Sequence, residues 1–353
     1  DLEILQSWYK GSYQKFNVLS KSSLKSNYEK YISIKLEENI NLDSTILHAE
    51  KKIKNYTSSI FESSLPIYLS NNDEPVWIDY QDTLNVIKWM IRNLDNINKS
   101  NSDCFNKENI FIAPSNFLSS NLDFKYEELS LDIDFRSSLI TSNPFYLYDR
   151  SNNSFIAFNY FKENNPIKLY LNILEDLIPG DLFIDYLIKG SSSLINQVYN
   201  NLSYSYPYKN LLIEDYIYSL SNKDLPIETK RHNSKCTQEY KNYSYMLSLQ
   251  FNINRIKNCL TAISAINHHY YDIDIIETIA QYDYLNLLED EEINRIKLEI
   301  FGFGVDSIIK FKSYYLANNL YQENISEDSP EYFISLLKDN LNVSFIEIKD
   351  MIK

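Results

Sequence analysis

Glycine is nearly missing from this chain, with five in 353 residues: Gly11, Gly180, Gly190, Gly302 and Gly304. A GxxxxGK[ST] loop needs glycines at fixed offsets so that backbone N–H groups can close around a phosphate, and these five do not supply them. GxGxxG fails for the same reason, which excludes the common dinucleotide fingerprint. The GxSxG elbow of serine hydrolases is absent too. Cysteine is equally sparse. Cys104, Cys236 and Cys259 are odd in number and far apart, so they form neither a disulfide framework nor a CxxC metal site. Reduced thiols and a cytoplasmic setting are the expectation. Four histidines, His48, His232, His268 and His269, show no HExxH spacing, and the His268-His269 pair reads as surface or core. There is no DDxxD run. No stretch of 18 apolar residues occurs, so no membrane-spanning helix is expected.

What is abundant is acid, asparagine and aromatic surface. Basic residues number 34 against 48 acidic ones, for a net charge of −14. Nucleic acid is excluded as a general partner, because engaging phosphates along a backbone needs a positive field. A local basic pocket inside an acidic protein stays open. Hydrophobic residues make up 44%, enough for a core, and the length suits one large domain or two. The 30 tyrosines accompany heavy use of Asn, Ile, Lys and Phe, all with AT-rich codons, so codon bias accounts for them as well as an aromatic cage does.

Along the chain, Tyr31–Glu37 alternates polar and apolar and predicts a strand. Ser44–Ser63 predicts a helix capped by Asp43 or Ser44, and Asp79–Leu94 a second, with Leu84, Ile87, Ile91 and Leu94 on one stripe. Pro66 and Pro75 bracket a loop, and 95–109 is another. Leu129–Phe135, Phe145–Tyr148, Ser154–Phe161 and Ile167–Leu174 predict strands. The last two are joined by Lys162-Glu-Asn-Asn-Pro166 as a hairpin. Leu182–Leu202 reads as helix, 203–211 and 222–236 as loops, Tyr243–Ile253 as strand, and Ile256–Ile266 and Asp290–Lys297 as helices. Ser329-Pro330 opens a final helix to Leu341.

The most specific stretch is Phe301-Gly302-Phe303-Gly304-Val305-Asp306, followed by Ile308-Ile309-Lys310-Phe311-Lys312-Ser313-Tyr314-Tyr315, which predicts a second hairpin. Side chains alternate along a strand, so Lys310, Lys312 and Tyr314 share one face and Ile309, Phe311 and Tyr315 the other. Lys168, Tyr170 and Asn172 repeat that pattern in the first hairpin. Lysine is a point cation for phosphate and tyrosine can donate to its oxygens, so each Lys-x-Tyr face reads as an anion site.

Here the chain resembles a known family. The run from Phe301 to Tyr314 is similar to the Gly-hydrophobic-Asp, Lys-x-Lys-x-Tyr hairpin of aromatic prenyltransferases with the ABBA barrel, which include indole and cyanobactin-type peptide prenyltransferases. Leu131-Asp132-Ile133-Asp134-Phe135-Arg136 is similar to another strand of that family, without its glycine. The resemblance covers about 60 residues in short pieces. It implies an α+β fold of repeated α-β-β-α units, with antiparallel hairpins closing a barrel inside a ring of helices. It implies one domain over 1–353, helix-rich to about 125 and barrel-forming from about 126. It also implies transfer of a prenyl group from an allylic diphosphate to an aromatic or peptide acceptor. The diphosphate would be held by Arg136, Lys168, Tyr170, Lys310, Lys312 and Tyr314. Fixed cations stabilise the leaving diphosphate, and aromatic faces stabilise the carbocation. Glu37, on the first predicted strand, is the candidate base. No cofactor is required by this reading, and Mg²⁺ is the one metal it admits.

Two other readings stand beside it. Asp132-x-Asp134 after an apolar strand, repeated at Asp272-x-Asp274, is the DxD arrangement by which glycosyltransferases hold Mg²⁺ or Mn²⁺ against a sugar-nucleotide diphosphate. Alternatively, the acidic chain is a non-catalytic, helix-rich interaction protein or effector.

Overall fold

The computed structural model describes residues 25–36, 38–71, 80–97, 109–122, 130–134, 145–149, 154–158, 166–189, 202–221 and 234–324, with 340, 343 and 348 singly. Among these the elements in chain order are α1 (Lys25–Leu36), α2 (Leu42–Asn71), α3 (Tyr80–Ile97), α4 (Asn109–Leu122), β1 (Ser130–Asp134), β2 (Phe145–Asp149) and β3 (Ser154–Phe158). Then follow α5 (Pro166–Asp176), α6 (Asp181–Lys189), α7 (Leu202–Ser221), α8 (Ser234–Ile266), a π-helical turn (Asn267–Tyr271), α9 (Ile275–Tyr282), α10 (Asp290–Phe303) and α11 (Asp306–Asn324).

The architecture is mostly helical. The strands form one mixed sheet in the order β1-β3-β2, with β1 parallel and β2 antiparallel to β3. Such a sheet is open, and among the described residues nothing closes it into a barrel. This overturns the predicted α+β barrel and the barrel-forming character of the part beyond residue 126. Phe155 and Ala157 of β3 are buried in the core, and Tyr146 of β2 donates to Asp185 Oδ2 of α6 at 2.9 Å.

The centre of the molecule is α8, 33 residues with neither glycine nor proline to interrupt it. It packs against α2, α5, α7 and α11, and α11 packs on α7. Buried small residues, Ala262, Ser264 and Ala265 on α8, Ala49 on α2 and Ala317 on α11, let the axes approach closely. Around them Leu212, Leu247, Ile263 and Phe183 are fully buried. Each such side chain contributes about 1.5–3 kcal/mol relative to exposure. A smaller core joins Ile32 and Leu36 of α1 to Ile275 and Ile279 of α9, Ile300 of α10 and Ile308 of α11.

The hairpin predicted over Phe301–Tyr315 is helical, and of the one predicted from Ser154–Phe161 and Ile167–Leu174 the first strand stands as β3 while the second is α5; the predicted strand at Tyr31–Glu37 is also helix as far as Leu36. In α1, Ile32 and Leu36 are buried one turn apart while Tyr31 and Ile34 are exposed. In α5, Lys168 is exposed and Asn172 half-buried, four residues apart on one helical face, and nearly everything else is buried. The segment Phe301–Tyr315 is the end of α10, a turn at Gly304-Val305, and the start of α11. A helix buried on most of its circumference shows no amphipathic stripe. Its few polar positions can then imitate a two-residue period over a short window. The same reason makes 203–211 and 243–253 parts of α7 and α8, and α2 runs through Pro66.

Local chemistry sets the ends. Asn41, not Asp43 or Ser44, caps α2, its Oδ1 accepting from Ser44 N at 2.7 Å. Asp274 caps α9 by accepting from Ile276 N at 2.7 Å. Gly304 lies where a Cβ would meet His269 Nε2 at 2.4 Å, so the π-helical turn can sit against α10 only with glycine there. The Tyr28 hydroxyl donates to Gly304 O at 3.0 Å and pins α1 to the same place. Among the described residues no helix is long and apolar enough to cross a membrane.

Candidate functional site

Charged side chains meet where α2, α7, α8 and α11 face one another. On α2, His48, Lys52 and Tyr56 are spaced by four and share a face. On α11, Tyr314, Asn318 and Tyr321 fall at i, i+4 and i+7 and do the same. Arg255 comes from α8, and Glu214 and Asp215 from α7.

At the centre Arg255 holds Glu214 through both terminal nitrogens, Nη1 to Oε1 at 3.2 Å and Nη2 to Oε2 at 2.9 Å. The Tyr314 hydroxyl accepts from Arg255 Nη2 and donates to Glu214 Oε2 at 2.7 Å. Asn318 Nδ2 donates to that hydroxyl at 3.3 Å, and Lys52 Nζ donates to Asn318 Oδ1 at 3.1 Å. The guanidinium also lies 4.2 Å from the ring centre of Phe251 and 4.6 Å from that of Tyr314. Burial pushes the Glu214 carboxyl up, but the charge and hydrogen bonds of Arg255 and the Tyr314 hydroxyl hold it below its usual value. The terminal nitrogens of Arg255 are thus paired, while its Nε is buried with no partner among the described residues, and the pair ties together three helices.

The cations beside it are not satisfied. Lys52 and Lys312 lie 5.5 and 5.4 Å from the centre of the Tyr315 ring, and His48 stacks on that ring at 4.4 Å. Lys52 reaches only the neutral Asn318, and neither lysine forms an ion pair among the described residues. Burial lowers the pKa of Lys52, and the Arg255 charge lowers it further, with Glu214 opposing. Burial lowers that of Lys312 as well, against the pull of the Glu38 carboxylate. His48 is lowered by burial, then by Lys312 and Lys51. Lysines whose charge is disfavoured by burial are stabilised by an anion, and groups so perturbed concentrate at functional sites.

Flanking this cluster, Tyr321 donates to Asp215 Oδ1, while Asp215 Oδ2 is buried with no partner among the described residues. Burial pushes the Asp215 carboxyl up to about 7, the Tyr321 bond works against this, and the Glu214 charge adds to it. Cys259 is buried nearby and its thiol is pushed up to about 12, again by burial.

Of the residues expected to bind substrate, Lys312 and Tyr314 do lie in this region, but not side by side. Two residues along a helix turn by about 200°. Lys312 therefore faces Tyr315 and Tyr314 faces Arg255. Lys310 is turned to Glu299 of α10 at 3.6 Å. Lys168 is exposed on α5, and Tyr170 is buried with its hydroxyl on that of Tyr216. The shared Lys-x-Tyr faces therefore do not exist. Glu37 and Arg136 lie outside the described residues. Asp132 and Asp134 are on β1, Asp274 is the cap of α9, and the described residues hold no metal-binding cluster of His, Cys, Asp and Glu. His48, Lys52, Glu214 and Arg255 escaped the sequence reading.

Comparison with protein-family models, with curated proteins and with solved structures gave no match.

Proposed function

We propose that this protein binds a small phosphate-bearing anion between α2 and α11, held by Lys52 and Lys312 with His48 beside them. One observation carries the reading: two lysines, one half-buried and one buried, flank the Tyr315 ring, and among the described residues neither has a carboxylate within ion-pair distance. The net charge of −14 supports a small ligand rather than a polyanion, whose remaining phosphates would meet a repelling field. Transfer of a prenyl group from an allylic diphosphate is the fuller form of the proposal. The diphosphate would sit against Lys52 and Lys312, which would stabilise the leaving charge. Tyr56, Phe251, Phe311 and Tyr315 crowd the same region and supply the π surface an allylic cation needs.

The test is calorimetric titration with inorganic pyrophosphate, dimethylallyl diphosphate and a UDP-sugar. Pyrophosphate and the allylic diphosphate should bind, and Lys52→Met and Lys312→Met should each weaken binding by about tenfold or more, the worth of one charge-assisted contact. Wild-type protein that binds none of the three, or lysine variants that bind as well as wild type, would refute the site. Diphosphate binding without pyrophosphate release from dimethylallyl diphosphate and an aromatic acceptor would leave a non-catalytic anion-binding protein. Sugar-nucleotide binding dependent on Mn²⁺ and Asp132 would favour glycosyl transfer instead.

A further inference from the structure

His48 is the imidazole of the cation cluster, and its burial and the positive charges beside it lower its affinity for a proton. From its own helix Lys51 acts on it. From α11, Lys312 acts on it and Tyr315 stacks on its ring at 4.4 Å. From α8, Arg255 acts on the neighbouring Lys52. The opposing charges are Glu38, in the turn before α2, which acts on Lys312, and Glu214 of α7, which acts on Lys52. His48 Nδ1 is buried and makes no hydrogen bond among the described residues. A polar atom left so in a folded protein calls for an explanation.

We infer that occupancy of this site by an anion is coupled to protonation of His48, so that the ligand enters together with a proton. The inference rests on the anion site proposed above. A dianion placed against Lys52 and Lys312 reverses the local field that now opposes an imidazolium. Once protonated, both ring nitrogens are donors, and Nδ1–H gains an acceptor in a ligand oxygen. The proton comes from solvent and stays on the imidazole, with no bond made or broken in the ligand. Affinity for a fixed dianion therefore falls as pH rises through the pKa of His48 in the occupied state, because the proton must then be taken from a more alkaline solution.

The probe is sulfate, a dianion that does not itself titrate between pH 5 and about 8, the range in which histidine responds. The four imidazoles are followed by NMR across that range in sodium sulfate and in sodium chloride of equal ionic strength. His48 is assigned by the signal lost in His48→Gln. The expected result is a rise of about one unit in the pKa of His48 with sulfate, a tenfold gain in proton affinity, and none in chloride. A pH-stat titration of wild-type protein with sulfate near pH 6 should show uptake of protons, so the outcome does not depend on the variant folding. An unmoved His48 signal, or the same rise in chloride, overturns the coupling while sulfate binding that requires Lys52 and Lys312 keeps the site. Absence of any sulfate or pyrophosphate binding by the wild type overturns both.

Discussion

Glu214→Gln should destabilise this protein more than Arg255→Met, although the two residues are partners in one ion pair. The difference follows from what each substitution leaves behind. The Arg255 side chain is 7% exposed and that of Glu214 37%. Glutamine keeps the volume of Glu214 and can accept one hydrogen bond, but it leaves a guanidinium enclosed by Phe251, Tyr314 and Tyr56 without a counter-charge. Breaking a buried pair in this way costs about 3–5 kcal/mol, and the partial wetting of Glu214 puts the expectation at about 3. Methionine at 255 refills most of the arginine stem and leaves a carboxylate that water and the Tyr314 hydroxyl can still serve, for about 1–2 kcal/mol. The double variant should be less destabilised than the two singles together, by about 1–3 kcal/mol. Urea unfolding followed by circular dichroism measures all four proteins, with the comparison made at unchanged m. Acid provides a second check. The carboxyl of Glu214 sits below its usual value in the folded chain, so its contribution is present above the unfolded value of about 4.3 and is lost as pH falls through the folded one. The gap between wild type and Glu214→Gln should therefore begin to narrow below the unfolded value of about 4.3 and close only below the lower folded one, where wild type is itself protonated. If Glu214→Gln is as stable as wild type at pH 7, or Arg255→Met is the worse of the two, the buried charge is not what this cluster turns on.

Asp215, half-buried and raised to about 7, retains a proton in the folded chain that the unfolded chain releases above about 3.9, so stability should drop as pH rises from about 4 to about 7. Asp215→Asn keeps the Tyr321 bond and should flatten that slope, gaining about 2 kcal/mol at pH 8, whereas identical pH profiles in thermal unfolding would contradict the assignment. Glu38→Gln removes the carboxylate acting on Lys312 and should tighten pyrophosphate binding by about threefold to tenfold, while weaker binding would mean that Glu38 supports the site rather than competing for it. Gly304→Ala should cost about 1–3 kcal/mol against His269 and Ile300, and Gly302→Ala, whose added Cβ meets nothing within 4 Å in the last turn of α10, should stabilise by up to about 1 kcal/mol. The reverse order would show that the π-helical turn yields at no cost.

The parts of this fold that could be read from sequence are those with one wet face. The start of α2 and both ends of α3 were marked to within a turn, although α2 runs two turns past the predicted Ser63, because α2 buries Ala49, Ile53, Tyr56 and Ile60 while Lys51, Lys54 and Glu62 stay out. The three strands of the sheet were also legible, since short runs such as Phe145–Asp149 carry aromatic and apolar residues between turn signals. What failed were the interior helices. Along α11 both Lys312 and Tyr314 are buried, on nearly opposite sides, and Ser313 between them is buried too. Periodicity reports contrast between a dry and a wet face, and these helices have little contrast to report. Tyrosine and isoleucine then tip a local reading towards strand, although tertiary packing decides the matter.

The candidate site shows the same division more sharply. Lys312 was picked out for a reason that did not survive, a shared strand face with Lys310 and Tyr314, yet it stands in the cation cluster. The signal that could have found its partners lay in a helix already predicted: His48, Lys52 and Tyr56 recur every four residues, and Lys52 falls beside the buried pair Ala49 and Ile53. A lysine placed at the edge of an apolar stripe either reaches out to water along its own stem or meets a counter-charge inside. Lys209 takes the second course, with Asp181 at 2.7 Å. Lys52 takes neither fully, ending on the amide oxygen of Asn318, and Lys312 ends over a tyrosine ring. The Arg255–Glu214 pair explains why they can remain so. It fixes Tyr314, Tyr314 engages Asn318, and Asn318 holds Lys52 in place, so one buried ion pair supports the position of a cation without a counter-charge next to it. An assembly built only for stability would gain by replacing Lys52 and Lys312 with apolar residues of similar length, and that is the reason to look for an anion between them.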